Sequence, residues 1–184
     1  MSDIPLSLPD ITDAEIDAVV QTLRSGRLSI GPQQEAFEHA VARRADRREG
    51  VAVSSGTAGL HLLLLALGVG PGDEVVTTPF SFVASANCIL MAGATPVFVD
   101  ICPTSLNLDP RQLEAAITAK TKAVVAVEVF GNTTHFAEIE KLCNRYEIAL
   151  IEDACEGLGG VVACGRPVGS FGRAGVFGLS LIHI

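Results

Sequence analysis

The sequence predicts an α/β fold, a mostly parallel sheet with helices on both faces, and two observations carry the prediction. Short apolar segments at 51–53, 74–77, 96–99, 123–127 and 149–151 read as buried strands. Helical stretches beginning near Thr57, Ser81, Pro110 and Thr134 lie between them. Parallel neighbours need crossover connections, and this alternation supplies them.

Two helices precede the alternating region. Thr12 with Glu15 makes a capping box, followed by Ile16, Val19, Val20 and Leu23 at the spacing of one helix face. Gly31 and Pro32 open the second, with Phe37, Ala40 and Val41 on its face. It ends near Arg43, Arg44, Arg47 and Arg48, where the helix dipole welcomes positive charge and a solvated end suffices as explanation. Farther on, Asp109 and Pro110 give a cap and a first-turn proline before the apolar stripe Leu113, Ala116 and Ile117. Gly68, Gly70, Pro71 and Gly72 follow a helix and precede a strand. That is the reverse of a dinucleotide-binding fingerprint, so they read as a helix stop and turn.

Composition narrows the function classes. The chain has 184 residues, 48% of them hydrophobic, enough for one domain with a sizeable core. A net charge of -8 without a run of Lys or Arg argues against nucleic acid. Met1 to Ile4 carry no basic leader, and the apolar run Leu62 to Leu67 is far short of the roughly 20 residues that cross a bilayer, so the expectation is a soluble cytoplasmic protein with no membrane partner. Cys88, Cys102, Cys143, Cys155 and Cys164 form no zinc-type pair and read as reduced, mostly buried thiols; no metal site is expected.

In open sheets of this kind ligands bind beyond the carboxyl ends of the strands. Ser54, Ser55, Gly56 and Thr57 stand at such an end and open a helix, where backbone N–H groups, hydroxyls and the helix dipole suit a phosphate. Ser and Thr also cap helices without any ligand. Phe80 and Phe82 follow the next strand; one could stack on a flat ring, or both could pack in the core. Glu152, Asp153 and Glu156 follow the strand at 149–151. Buried carboxylates there call for a charged partner, unless Asp153 caps a helix. A phosphate cradle, an aromatic plate and a carboxylate that keeps a ring nitrogen protonated together suit pyridoxal 5′-phosphate (PLP).

The segments that carry a family resemblance run in order along nearly the whole chain. They are Ser29-Ile30-Gly31-Pro32, Val53-Ser54-Ser55-Gly56-Thr57-Ala58-Gly59-Leu60-His61, Gly70-Pro71-Gly72-Asp73-Glu74-Val75 and Pro79-Phe80-Ser81-Phe82-Val83-Ala84. Pro96-Val97-Phe98-Val99-Asp100, Ile151-Glu152-Asp153-Ala154-Cys155-Glu156 and Gly169-Ser170-Phe171-Gly172 complete the series. Together they resemble the DegT/DnrJ/EryC1/StrS sugar aminotransferases. The resemblance implies an aspartate-aminotransferase-like large domain (fold type I), PLP as cofactor, a nucleotide-linked keto-sugar and an amino acid such as glutamate as substrates, and a homodimer. It also implies that Gly56 and Thr57 bind the phosphate, Phe82 stacks on the pyridine ring, Asp153 faces the ring nitrogen and Glu156 lies near the ring hydroxyl. Gly131 and Asn132 would shape the pocket.

The sequence departs from the family after Val176-Phe177-Gly178. The family's Schiff-base lysine and following glycine motif are replaced by Leu179-Ser180-Leu181-Ile182-His183-Ile184, and the only lysines are Lys120, Lys122 and Lys141. The expected organisation is therefore an N-terminal segment plus an incomplete PLP-binding large domain over 1–178, a divergent tail over 179–184, and a C-terminal small domain outside the chain. No catalytic residue is assigned, and the chain alone is expected to be inactive. Two other readings stay open: a sugar 3-dehydratase in which His183 replaces the lysine, and a non-catalytic phosphate-binding or regulatory module.

Overall fold

The computed structural model describes residues 9–179, so Met1 to Ile4, Ser180 and His183 lie outside the described residues. Of the described residues, those up to Ala52, with Leu179, form one compact unit, and Val53–Gly178 form a second.

The first unit holds the two predicted opening helices. In α1 (Asp13–Ser25) the Thr12 hydroxyl accepts from the Ala14 N–H while Glu15 accepts from the Thr12 N–H at 2.7 Å, closing the capping box. Gly26 ends the helix in a left-handed conformation, φ 69°. Pro32 occupies the first turn of α2 (Pro32–Arg44), where its missing N–H removes nothing the helix needs.

The segment 51–53 is not a strand. Val51 is 79% exposed, and the Ala52 N–H donates to the Glu38 carboxylate at 2.8 Å instead of to a neighbouring strand.

The second unit is a five-stranded parallel sheet in the order β2-β1-β3-β4-β5. Its strands are β1 (Glu74–Thr77), β2 (Thr95–Phe98), β3 (Thr121–Val127), β4 (Ala149–Asp153) and β5 (Ala174–Val176). α3 (Gly56–Ala66) leads into β1, and the crossovers carry α4 (Ala84–Met91), α5 (Pro110–Ala116) and α6 (Phe136–Arg145). Asp109 caps α5 as its sequence indicates, accepting from the Arg111 N–H at 2.9 Å.

Helices cover both faces, and strand alternation divides the core between them. On one face Val75, Ala123, Val125, Ile151 and Val176 meet Leu60 and Leu64 of α3 and Cys88 and Ile89 of α4. On the other, Val76, Val124, Ala126 and Leu150 meet Leu113 of α5 and Phe136, Ile139 and Leu142 of α6. The same alternation directs the last two residues of β4 apart. Asp153 continues the Ile151 face toward α3 and α4, and Glu152 continues the Leu150 face.

Connections leave β1 toward β2 on one side, and β3, β4 and β5 lie on the other, so the chain changes direction between β1 and β3. The crevice outside the strand ends at such a point is where open α/β sheets bind ligands.

Candidate functional site

The carboxyl ends of β1, β3 and β4 bring most of the predicted residues to one edge. Thr78 and Pro79 lead out of β1 into Phe80, and Val129 leads out of β3 into Phe130. Their rings meet edge-on with centroids 6.5 Å apart. Phe82 is 74% exposed, and Phe80 and Phe130 are exposed as well, so these aromatics form a rim and not the core filling their positions also allowed.

Asp153 ends β4 and is 5% exposed. Its partner is neutral: the Ser85 hydroxyl donates to Oδ2 at 2.7 Å, and Ser81 and Ser85 share a hydrogen bond of 2.7 Å. This hydroxyl relay holds the carboxylate from within the chain and ties the loop carrying Phe82 to β4. Asp153 caps no helix, because β4 runs into turns. The two serines stand four residues apart, and Ser85 sits among the apolar Ala84, Cys88 and Ile89, a signal that sequence reading passed over.

Gly56 opens α3 against this same strand end. A Cβ at Gly56 would lie 2.9 Å from the sulfur of Cys155, two residues beyond Asp153. At the helix start Ser55 Oγ accepts from the Ala58 N–H and the Ser55 carbonyl from the Gly59 N–H. The N–H groups of Gly56 and Thr57 belong to the first turn, which has no intrahelical acceptors for them. A helix N-terminus with small residues and a close approach to β4 is a fitting cradle for an anion. Burial pushes the Cys88 thiol up to about 12, with Asp153 adding to the shift, and burial raises Cys155 likewise. Both sulfurs are neutral packing groups here.

Glu156 is exposed, and its Oε2 accepts the Phe130 N–H at 2.8 Å. Phe130 (φ 53°) and Gly131 (φ 73°) are both left-handed, a conformation unusual for phenylalanine. Glu156 thus fixes a strained turn on the rim, and no hydrogen bond among the described residues joins it to Asp153. Asn132 and Asn107 knit the same turn from behind: Asn107 Nδ2 donates to the carbonyls of Asn132 and Thr134, and Asn132 Nδ2 to that of Ser105.

The lysines lie elsewhere. Lys122, at the amino end of β3, donates to the Gly68 carbonyl at 2.7 Å and to Asp73 at 3.3 Å. A crevice lined by Leu67, Lys122, Ala149, Gly172 and Arg173 opens at those amino ends, across the sheet edge from Asp153. Lys120 immediately precedes β3, and Lys141 lies in α6. No group of His, Cys, Asp and Glu suited to a metal ion occurs among the described residues, and no described helix is long and apolar enough to cross a membrane. The five cysteines are free, with Cys88 and Cys143 buried and Cys164 exposed.

Residues 9–180 match the DegT/DnrJ/EryC1/StrS aminotransferase family. The chain belongs to this family. It is 44% identical to the spore coat polysaccharide biosynthesis protein SpsC of Bacillus subtilis (strain 168) over 174 residues, 95% of this chain and 44% of SpsC. The apo form of Spr1654 from Streptococcus pneumoniae, described as a sugar aminotransferase, superimposes with a TM-score of 0.94 at 34% identity, covering 98% of this chain and 49% of that one. Spr1654 has also been solved in PMP and PLP forms. DesI, solved in the presence of its TDP-sugar product, matches at 38% identity and a TM-score of 0.83 over 93% of this chain and 43% of its own. The chain therefore spans just under half the length of these DegT/DnrJ/EryC1/StrS relatives.

Proposed function

We propose that this chain forms the cofactor pocket of a PLP-dependent aminotransferase that acts on a nucleotide-linked keto-sugar, with an amino acid such as glutamate as amino donor. The observation that carries the reading is the approach of Gly56, at the start of α3, to Cys155 beside the strand-end carboxylate of Asp153. Anion donors and a buried carboxylate then flank one edge, with exposed aromatic rings on its rim. The sugar substrate draws support from the TDP-sugar product of DesI and from the polysaccharide role in the name of SpsC.

In this reading the first-turn N–H groups of Gly56 and Thr57 hold the phosphate, helped by the helix dipole. Phe82 lies against the ring face, and Asp153 accepts a hydrogen bond from the pyridine nitrogen, keeping a proton there. Ser85 holds that carboxylate in place from behind. Glu156, which accepts from the Phe130 N–H, would stand near the ring hydroxyl. When bound, PLP supplies an electron-withdrawing ring that lets an amino group pass between substrates.

We assign 1–178 to an N-terminal segment and an incomplete large domain and 179–184 to a divergent tail, with the small domain outside the chain. We read the whole protein as a cytoplasmic homodimer. Lys120 and Lys122 stand at the amino end of β3, and Lys141 lies on α6, which packs on the sheet face turned away from Asp153, so this chain alone should neither hold the cofactor covalently nor turn over.

Titration with PLP, followed by absorbance, tests the pocket. Saturable binding is expected, weakened about 10- to 100-fold by Asp153→Asn, the equivalent of a charge-assisted hydrogen bond of about 1.5–3 kcal/mol. Equal affinity in the variant would overturn the assignment of Asp153. Borohydride reduction followed by peptide mass mapping should find no stoichiometric adduct on Lys120, Lys122 or Lys141.

A further inference from the structure

Beneath the site, on the sheet face turned away from Asp153, two glutamates meet out of water. Glu128 directly follows β3 and is 1% exposed; Glu152 of β4 is 0% exposed. The backbones join where the Glu128 N–H donates to the Asp153 carbonyl at 3.0 Å. Register pairs Glu152 with Ala126 and directs both glutamate side chains toward the α5 and α6 face.

The two carboxyls are equipped differently. Glu152 Oε1 accepts the Gly169 N–H at 3.1 Å and Oε2 accepts the Phe171 N–H at 2.7 Å, so both oxygens serve as acceptors. Neither oxygen of Glu128 meets a donor among the described residues, although both are buried and the group lies within hydrogen-bonding reach of Glu152. A buried carboxylate without donors beside a second carboxylate is among the most unfavourable arrangements a fold can hold. One proton on Glu128 resolves it, because Glu128 then becomes a donor and Glu152 stays an acceptor. Burial first, and then the charge of Glu152, pushes the Glu128 carboxyl up to about 9.

The pair also governs a turn. A Cβ at Gly157 would collide with Glu128 Oε2 and approach Val168 to 2.8 Å, so the chain just after Glu156 lies directly on the Glu128 carboxyl. Asp153 adds its charge from β4, and Asn107 Oδ1 is occupied by the Val129 N–H at 3.1 Å. The Arg166 guanidinium acts on Glu152 through its field and is paired with Glu140 of α6 at 2.6 Å.

We propose that Glu128 and Glu152 share a single proton carried by Glu128, and that this proton fixes the Gly157 turn that presents Glu156 at the rim of the site. Losing it places two like charges side by side in the core and loosens the turn. The device belongs to the fold itself and holds with or without a bound cofactor, so its test needs none.

The proton can be observed directly in protein carrying carboxyl-labelled glutamate. One side-chain carbon resonance should remain in the acid form at neutral pH and titrate near pH 9, with the Gly157 amide following it. That resonance should vanish in Glu128→Gln, whose amide donates in place of the proton. The two isosteric variants should also part company. Glu128→Gln should fold and be as stable as the parent or more so at pH 8, and should be less sensitive to rising pH. Glu152→Gln turns an NH2 group toward a backbone N–H and should melt well below the parent. If every glutamate proves ionised at neutral pH, or the two variants prove equally stable, the proposal fails.

Discussion

The Ser85 hydroxyl donates to Asp153 Oδ2 at 2.7 Å, linking the first turn of α4 to the last residue of β4 across 68 positions of sequence. Both groups are buried, and the carboxylate orientation depends on this bond.

Ser85→Ala leaves a buried carboxylate oxygen without its donor and should lower stability by about 1–3 kcal/mol in urea denaturation. Ser81→Ala, which removes only the outer member of the relay, should have the smaller effect. Equal losses would mean that the serine relay, and not the Asp153 bond, carries the stability.

Phe82→Ala separates binding from folding. With a 74% exposed ring, the substitution should leave the melting curve within about 0.5 kcal/mol of the parent while weakening PLP binding in an absorbance titration. Unchanged binding would remove Phe82 from the proposed pocket.

Two glycines should resist substitution for different reasons. Gly157→Ala drives a methyl group into Glu128 Oε2 and Val168 and should cost roughly 1–3 kcal/mol by overpacking. Gly172→Ala combines a left-handed backbone, φ 58°, with a clash against the Leu150 carbonyl, and should be the more damaging. Denaturant midpoints of the soluble variants, or the soluble yield, would rank them.

Asp109 gives a pH dependence with a fixed sign. The hydrogen bond from the Arg111 side chain holds its carboxyl below the ordinary range. Its extra stability is thus complete above the unfolded value, about 3.9, and is lost as pH falls through the lower folded value. Asp109→Asn keeps a capping side chain but gives up the ion pair. Because Arg111 is largely exposed, the difference at pH 6 should be under about 1 kcal/mol, closing toward zero on acidification. Chemical denaturation at stepped pH would follow it.

The local signals that proved reliable were those whose cause is local. The capping box at Thr12, the Asp109-Pro110 start of α5 and the strand Glu74–Thr77 all stand where residue pattern puts them. Segment 51–53 misled because its valines look like a strand without having one to pair with, whereas β5, an Ala-Gly-Val stretch, carries too little apolar character to announce itself. Helices begin later than expected after Ser81 and Thr134, at Ala84 and Phe136, because tight turns intervene. In the site, Asp153 was legible as a strand-end carboxylate, yet Ser85 was not, since nothing nearby in sequence names a partner so far along the chain. Glu128 was less legible still. Between two valines it resembles the solvent-facing position of an alternating strand, and the loop at Gly157, far along the chain, covers it.

The opposite pointing of Glu152 and Asp153 also bears on how this fold tolerates change. Inserting or deleting a single residue within β4 would exchange their faces, sending the loop-anchoring acid into the ligand crevice and the other into the α6 layer. Homologous recombination or domain grafting through this strand should therefore succeed only at crossover points that preserve its parity, a constraint that neighbouring loops do not impose.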